Sequence, residues 1–352
     1  YTRLLESQVD SKQNHINQLE NYIRKLERTI HTDSSTSTQK IQLNRPAIQG
    51  VPLPLVENPT ISIILVTWNG IDYINECLGS VLEDIYENKE IIVVDNGSTD
   101  GTPERIESGF PSVKLIRNDR NQGFTKGVNT GINSSTGDII LLLNQDAMIK
   151  PGLLETLKDS LKDESIAITG CKILDPDNKT LQHAGGILHD NGLTDHYGAG
   201  KADEGQFDED RDVAYVTGAV FAFKRNLVNE IGIFDQRYSP AYFEELDFCL
   251  RAQRAGYRIR YIHNARAIHY ESTSTGKFSQ RFYYLYHRNR LKFILKHFTA
   301  GYFATTFRRF EWNWLKKHAP REQLFPLFKA YLRVSHRILW VFIRTAKERI
   351  LK

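Results

Sequence analysis

The segment Ile139–Ala147, IILLLNQDA, runs through five branched apolar residues and closes on one carboxylate. It is entered through Thr136-Gly137-Asp138 and followed by Pro151-Gly152, so it reads as a central parallel strand. Strands covered on both faces are continuously apolar, and in open α/β sheets ligands collect beyond their carboxyl ends. Asp146 therefore stands where a cation or a polar ligand group binds; the competing reading is a solvated turn aspartate. Two further segments share this layout. Glu90–Asp95 (EIIVVD) enters a turn rich in Gly and Asp, Asn96–Thr102, before a helix starting near Pro103. Ile61–Thr67 (ISIILVT) enters Trp68-Asn69-Gly70 before a helix carrying Ile74, Leu78, Val81 and Leu82 at helical spacing. Three strand-turn-helix units thus put Thr67, Asn69, Asp95, Asn96 and Asp146 at the strand ends of one sheet, the layout of a nucleotide crevice.

The same residues carry a resemblance. VTWNG (66–70) with its following Cys77-Leu78 helix, VVDNGSTDGT (93–102), NQGFTKGVNTG (121–131) and LLLNQDA (141–147) together resemble the inverting glycosyltransferase family 2, closest to its bacterial rhamnosyltransferase-like members, over residues 60–298. The resemblance implies a GT-A (Rossmann-like) α/β fold, a mixed, mainly parallel sheet flanked by helices. It implies that Asp95 hydrogen-bonds the nucleotide base and that Asp146 binds the metal on the sugar diphosphate. Thr67, Asn69, Asn96, Gly123, Asn129 and Asn144 join them as expected donor-binding residues. Asn144 stands where the usual D-x-D motif has its first carboxylate, and an amide supplies no negative charge. A divalent cation, Mg2+ or Mn2+, must then rely on Asp146, a second ligand and the diphosphate itself. That second ligand is expected at His269, in Ala267–Ser274, which corresponds to the histidine that similar proteins place on the metal. Arg260–His263 and Ala265–Ile268 read as an edge-like apolar stretch before it, and His263, lacking the match, reads as structural. Imidazole suits these cations only modestly, consistent with a metal that arrives with its nucleotide sugar.

Acid-base chemistry is expected in Tyr242–Arg251, where Glu244, Glu245 and Asp247 stand beside aromatic and aliphatic residues. An acidic first helical turn favoured by the helix dipole is the plain alternative. A sugar hydroxyl titrates far above neutrality, so a carboxylate must take its proton, and apolar neighbours such as Phe243 and Phe248 would raise that carboxylate's basicity. The family pattern is an acidic pair whose second member, usually Asp, is the base. Glu245 matches that position with one extra methylene; Glu244 and Asp247 remain competitors, Asp247 facing another side of the helix. Val216–Phe223 followed by Ile231–Asp235 reads as a strand, then a helix, then an acceptor-side turn, while 182–186 and 195–205 read as a loop over the acceptor. His183, His189 and His196 have no metal-like spacing and read as non-ligands.

The rest of the chain adds context. At 352 residues, with 40% hydrophobic and 25% charged content, it can hold a large core and more than one unit. Cys77, Cys171 and Cys249 are scattered and odd in number, suggesting a reducing compartment, and no run approaches a transmembrane helix. The chain begins at Tyr1 rather than Met, which suggests a fragment of something longer. Val9, Ile16, Ile23 and Ile30 fall seven apart, with Leu5, Leu19 and Leu26 in a second register and Lys12 breaking it. Residues 1–31 therefore read as a coiled-coil helix forming a parallel homodimer, or else as a single amphipathic helix. Residues 32–59 read as a linker, 60–280 as the GT-A domain, and 281–352 as a basic helical extension. That extension holds seventeen Lys and Arg against Glu311, Glu322 and Glu348. Its segment Tyr331–Ile343 suits an anionic membrane surface, or a helical cap on the catalytic domain; no nucleic-acid motif accompanies the charge. Arg288, in an Arg-Asn pair often found in similar proteins, is expected to neutralise the departing diphosphate.

The expected protein is a cytoplasmic enzyme, peripheral on the inner face of the cell membrane. It would transfer L-rhamnose from dTDP-rhamnose to a lipid-linked bacterial surface polysaccharide such as O-antigen. A UDP-sugar donor, a galactofuranosyl or other hexosyltransferase, and a non-catalytic scaffold subunit are the alternatives.

Overall fold

The computed structural model describes residues 50–270 and 279–350. The heptads expected over residues 1–31, residues 32–49 of the linker, and residues 271–274 beyond His269 lie outside the described residues. Strands and helices first alternate as β1 (Ile61–Thr67), α1 (Ile74–Leu82), β2 (Lys89–Asp95), α2 (Thr102–Gly109), β3 (Lys114–Arg117), α3 (Phe124–Ser134) and β4 (Ile139–Asn144). They continue through β5 (Ala147–Ile149), α4 (Leu153–Ser160), β6 (Ile166–Leu174), β7 (Leu181–His183), β8 (Gly186–Leu188), β9 (Thr194–His196) and β10 (Arg211–Asp212). The second half holds β11 (Val220–Lys224), α5 (Leu227–Ile231), α6 (Glu244–Arg254), β12 (Arg258–His269), α7 (Gln280–His297), α8 (Ala300–Tyr302), α9 (Arg308–Lys317) and α10 (Arg321–Ile350).

One ten-stranded mixed sheet runs in the order β10-β12-β6-β11-β4-β1-β2-β3, with β5 paired to β12 and β7 to β6. The β4-β1-β2-β3 half is parallel throughout, whereas β11 is antiparallel to both its neighbours. Side-chain alternation splits the core across the two faces. Ile61, Ile63 and Leu65 of β1 pack with α1 and with Leu153, Leu154 and Leu157 of α4. Ile64 of β1, with Ile140 and Leu142 of β4, packs with α3, α6 and α7. Helix α3 lies very close to β1: a Cβ at Gly131 would fall 2.3 Å from Ile64 Cγ2, so the glycines of the NQGFTKGVNTG stretch let helix and strand touch.

Three expectations change. β12 lies inside the sheet between β10 and β6 rather than at an edge, with a register shift between Ile262 and Arg266. The stretch read as irregular around residues 182–205 contains β7, β8 and β9, too short for periodicity to reveal. Val216–Ala219 precedes β11 instead of belonging to it, while α5 stands between strand and turn as expected. Leu291, Phe293 and Ile294 of α7 share a core with Phe221 and Phe248. The buried Arg290 donates to both Glu311 carboxylate oxygens at 2.7 Å, and Tyr331 adds a 2.9 Å bond to Glu311, locking α9 and α10 onto α7.

Candidate active site

The chain leaves β1 for β2 and β3 on one side and then returns to place β4 on the other side of β1. That reversal opens a crevice at the carboxyl ends of β1 and β4. Gln145 ties the two tips together, its Oε1 accepting from Thr67 Oγ1 at 2.7 Å and Trp68 N at 2.9 Å. Thr67 is fully buried and committed to this bond. Asn69, at φ 49°, accepts from Thr99 N at 2.9 Å and so joins the turns that follow β1 and β2. Asp95 sits opposite Thr67 in register. Its Oδ2 accepts from Gly97 N and Ser98 N, each at 3.1 Å, while its Oδ1 is buried with no hydrogen-bond partner. Asn96 bridges Gly123 O (3.2 Å) and Asn118 Nδ2 (3.0 Å), framing the turn before α3. Asn129 is a correction to the expected donor set. Both ends of its amide are spent on the backbone of Phe234, at 2.9 and 3.2 Å, and it is buried.

At the tip of β4, His269 Nε2 lies 3.2 Å from Asp146 Oδ1 and 3.3 Å from Asn144 Nδ2. β12 delivers the histidine there because His269 pairs with Ala147, the residue after Asp146. Among the described residues no group of three or more His, Cys, Asp and Glu gathers as a metal cage. Asp146 and His269 fit a divalent cation that keeps its other positions for phosphate oxygens and water, the habit of Mg2+ at nucleotide sites.

The first turn of α6 treats its three carboxylates differently. Glu244 and Glu245 each bury an Oε2 atom with no hydrogen-bond partner. Burial, then the neighbouring Glu245, raises Glu244 well above the usual carboxylate range. Burial pushes Glu245 up to about 7, against the opposing pull of the backbone N–H groups at the helix start. Asp247 also pays for burial, but His297, Arg251 and Lys296 outweigh it and hold the carboxyl well below its ordinary range. Its Oδ1 accepts from Lys296 Nζ (2.5 Å), His297 Nε2 (2.6 Å) and Tyr238 OH (3.0 Å), and its Oδ2 from Arg251 Nε (2.9 Å). A carboxylate so enclosed is unsuited to receiving a proton from a substrate, so Asp247 is a framework residue.

The loop before α6 is wound into the left-handed region at Tyr242 (φ 77°) and Phe243 (φ 76°). Such conformations cost aromatic residues on the order of 1–2 kcal/mol each, and surrounding bonds must hold them. Asn289 does so: its Nδ2 donates to Tyr238 O (2.6 Å) and Ala241 O (2.8 Å), with Tyr242 O at 3.0 Å. Arg288 Nη2 donates to Ser239 O at 2.6 Å, and Pro240 O accepts from Phe124 N at 3.0 Å, so this loop abuts the Gly123 turn. Gly123, at φ 85°, has no room for a side chain, since a Cβ would lie 2.8 Å from Ser239 Oγ. Two framework residues escaped sequence reasoning: Asn289, visible only as the neighbour of Arg288, and Gln182, read as a loop residue.

Residues 62–232 match the family model for Glycosyl transferase family 2, and they form a domain of that family. An N-acetylglucosaminyl-diphospho-decaprenol L-rhamnosyltransferase of Mycobacterium tuberculosis is 25% identical over 242 residues, covering 61% of this chain and 77% of that protein. An uncharacterized protein of Sinorhizobium fredii is 29% identical over 236 residues, 63% of this chain; the alignment spans only 26% of that longer relative. GalNAc-T7, solved with UDP, GalNAc and Mn2+, superimposes with a TM-score of 0.55 at 17% identity, covering 68% of this chain and 48% of that one. The fold is GT-A, as the motifs implied.

Proposed function

We propose that the protein is an inverting, cation-dependent glycosyltransferase that moves a sugar from a uridine or thymidine diphosphate sugar to a lipid-linked glycan. The observation that carries this reading is Glu245, a carboxyl at the start of α6 with one buried oxygen lacking a hydrogen-bond partner, raised by burial to about 7. The unfilled Oδ1 of Asp95 suits the imide N–H shared by uracil and thymine, which supports a donor of that nucleotide class. Asp146 and His269 would hold the cation, which supplies positive charge beside the sugar diphosphate. Glu245 takes the proton of the acceptor hydroxyl as its oxygen bonds to the anomeric carbon, and the nucleoside diphosphate leaves from the opposite face. Arg288 is the nearby side chain assigned to the charge of that leaving group. L-Rhamnose is the first donor to test, supported by the name of the mycobacterial relative.

Residence at an anionic membrane surface belongs to the same proposal. No helix among the described residues is long and apolar enough to cross a membrane. On α10, Leu327, Ala330 and Val334 face the body, while Leu324, Phe325, Phe328 and Leu332 are exposed, joined by Trp312 of α9. Lys329, Arg333 and Arg337, also exposed, form a third stripe, so apolar and basic surfaces lie side by side as an anionic lipid interface requires. The function is tested by following nucleoside diphosphate release from a panel of dTDP- and UDP-sugars with a polyprenyl-diphosphate glycan acceptor. Acceptor-dependent release supports the enzyme. No release from any donor leaves the scaffold alternative.

A further inference from the structure

The His269 ring meets the site through Nε2, and its other nitrogen is held from behind. Nδ1 lies 2.7 Å from Gln182 Oε1. The amide group of Gln182 has a fixed orientation, because its Nε2 donates to Asp175 Oδ1 at 3.0 Å and to the carbonyl oxygen of His269 at 3.2 Å. Both of those partners can only accept, so the amide nitrogen must face them and Oε1 must face the ring. An oxygen at that place bonds only to an N–H, which puts the proton of the neutral imidazole on Nδ1 and leaves a lone pair on Nε2. Asn144 agrees, since its Nδ2 is a donor 3.3 Å from that same Nε2; Asp146 Oδ1, an acceptor 3.2 Å from it, is compatible with a lone pair there when a cation lies between the two, as the reading of the site has it. The backbone explains how Gln182 reaches the ring from 87 positions away. Along the β6–β7 ladder Leu174 pairs with Leu181 and Ile173 with His183, so Gln182 is the extra residue of a bulge. Bulges beside active sites re-aim a side chain, here out of the ladder and onto His269.

We infer that Gln182, oriented by Asp175, is a positioning residue that fixes the Nδ1–H tautomer of His269 and so presents an unprotonated Nε2 to a divalent cation beside Asp146. This rests on the reading of His269 as a cation ligand and adds the residues that make it one. Partners of this kind typically change metal affinity by about 10- to 100-fold when removed.

The test uses the metal-free full chain with 15N-labelled histidine at pH 8, the His269 signal being assigned by its loss in His269→Ala. Wild type should show the proton on Nδ1 and a lone-pair nitrogen at Nε2; a proton on Nε2, or a doubly protonated ring paired with Asp146, overturns the inference. Gln182→Leu should shift the ring toward the Nε2–H form and weaken Mn2+ binding, measured by titration in the presence of UDP, by about tenfold or more. The exchanged pair Asp175→Asn with Gln182→Glu keeps an acceptor facing Nδ1 and a donor facing that acceptor, and should restore both readouts. Wild-type tautomer and Mn2+ affinity in Gln182→Leu would overturn the positioning role. The parent reading fails separately: it falls if His269→Ala itself binds Mn2+ as tightly as wild type.

Discussion

The strand tips of β1, β2 and β4 and the first turn of α6 both gather carboxylates, yet they furnish them in opposite ways. At the tips each acid has a partner of its own: Asp95 takes two backbone N–H groups, and Asp146 faces His269. In α6, Glu244 and Glu245 each keep one oxygen unpartnered, as Asp95 does, but here burial raises both carboxyls, Glu245 to about 7. The difference separates two kinds of work. A carboxylate facing fixed partners at an open strand end is placed to hold a ligand; one that burial raises toward neutrality sits near the pH at which a proton can be taken and returned. Asp247 sharpens the contrast, since it shares the turn with Glu245 yet is surrounded by His297, Lys296, Arg251 and Tyr238.

The strongest way to break this comparison is Glu245→Gln. Turnover should fall on the order of a hundred- to ten-thousandfold, with nucleotide affinity nearly intact. A variant that turns over at wild-type speed would move the base elsewhere. Next in size, Asp247→Ala should cost on the order of 3 kcal/mol of stability in chemical denaturation, because it leaves the partly buried Arg251 and Lys296 without the buried carboxylate they pair. The same carboxyl gives a pH signature. Its folded value is depressed, so its contribution is complete above about pH 4 and is lost as the pH falls below that. A near-neutral Asp247→Ala would show that the enclosure contributes nothing. A smaller effect is expected of Asp95→Asn. Calorimetric titration with UDP or dTDP should show about tenfold weaker binding, the scale of a hydrogen bond to a charged group, while unchanged affinity would remove the base from Oδ1.

The tips were legible because their signals are local: an apolar run, then a polar turn, within ten residues for each strand. Three such units gave the α/β crevice layout, and the GT-A fold came from the resemblance their motifs carry. What stayed hidden depends on partners far along the chain. Asp247 differs from Glu245 through Arg251 and Tyr238 close by and, above all, through Lys296 and His297, 49 and 50 residues later. Asn129 carries a donor-site motif position but meets Phe234 from 105 residues away. The loop at Tyr242 and Phe243 could not be foreseen, since aromatic residues rarely adopt positive φ without a clamp such as Asn289. The net charge of residues 281–352 likewise concealed Arg290, which is buried against Glu311 and unavailable to any membrane.

The most direct test of the division between the two regions is the pH dependence of kcat/KM for sugar transfer, measured from pH 5 to 9 in wild type. Glu245 must be deprotonated to act as base, so the rate should climb with pH and level off above an acid limb near 7. An acid limb near 4.5, the ordinary glutamate range, or one near 7 that persists unchanged in Glu245→Gln, would contradict the assignment of the proton to Glu245.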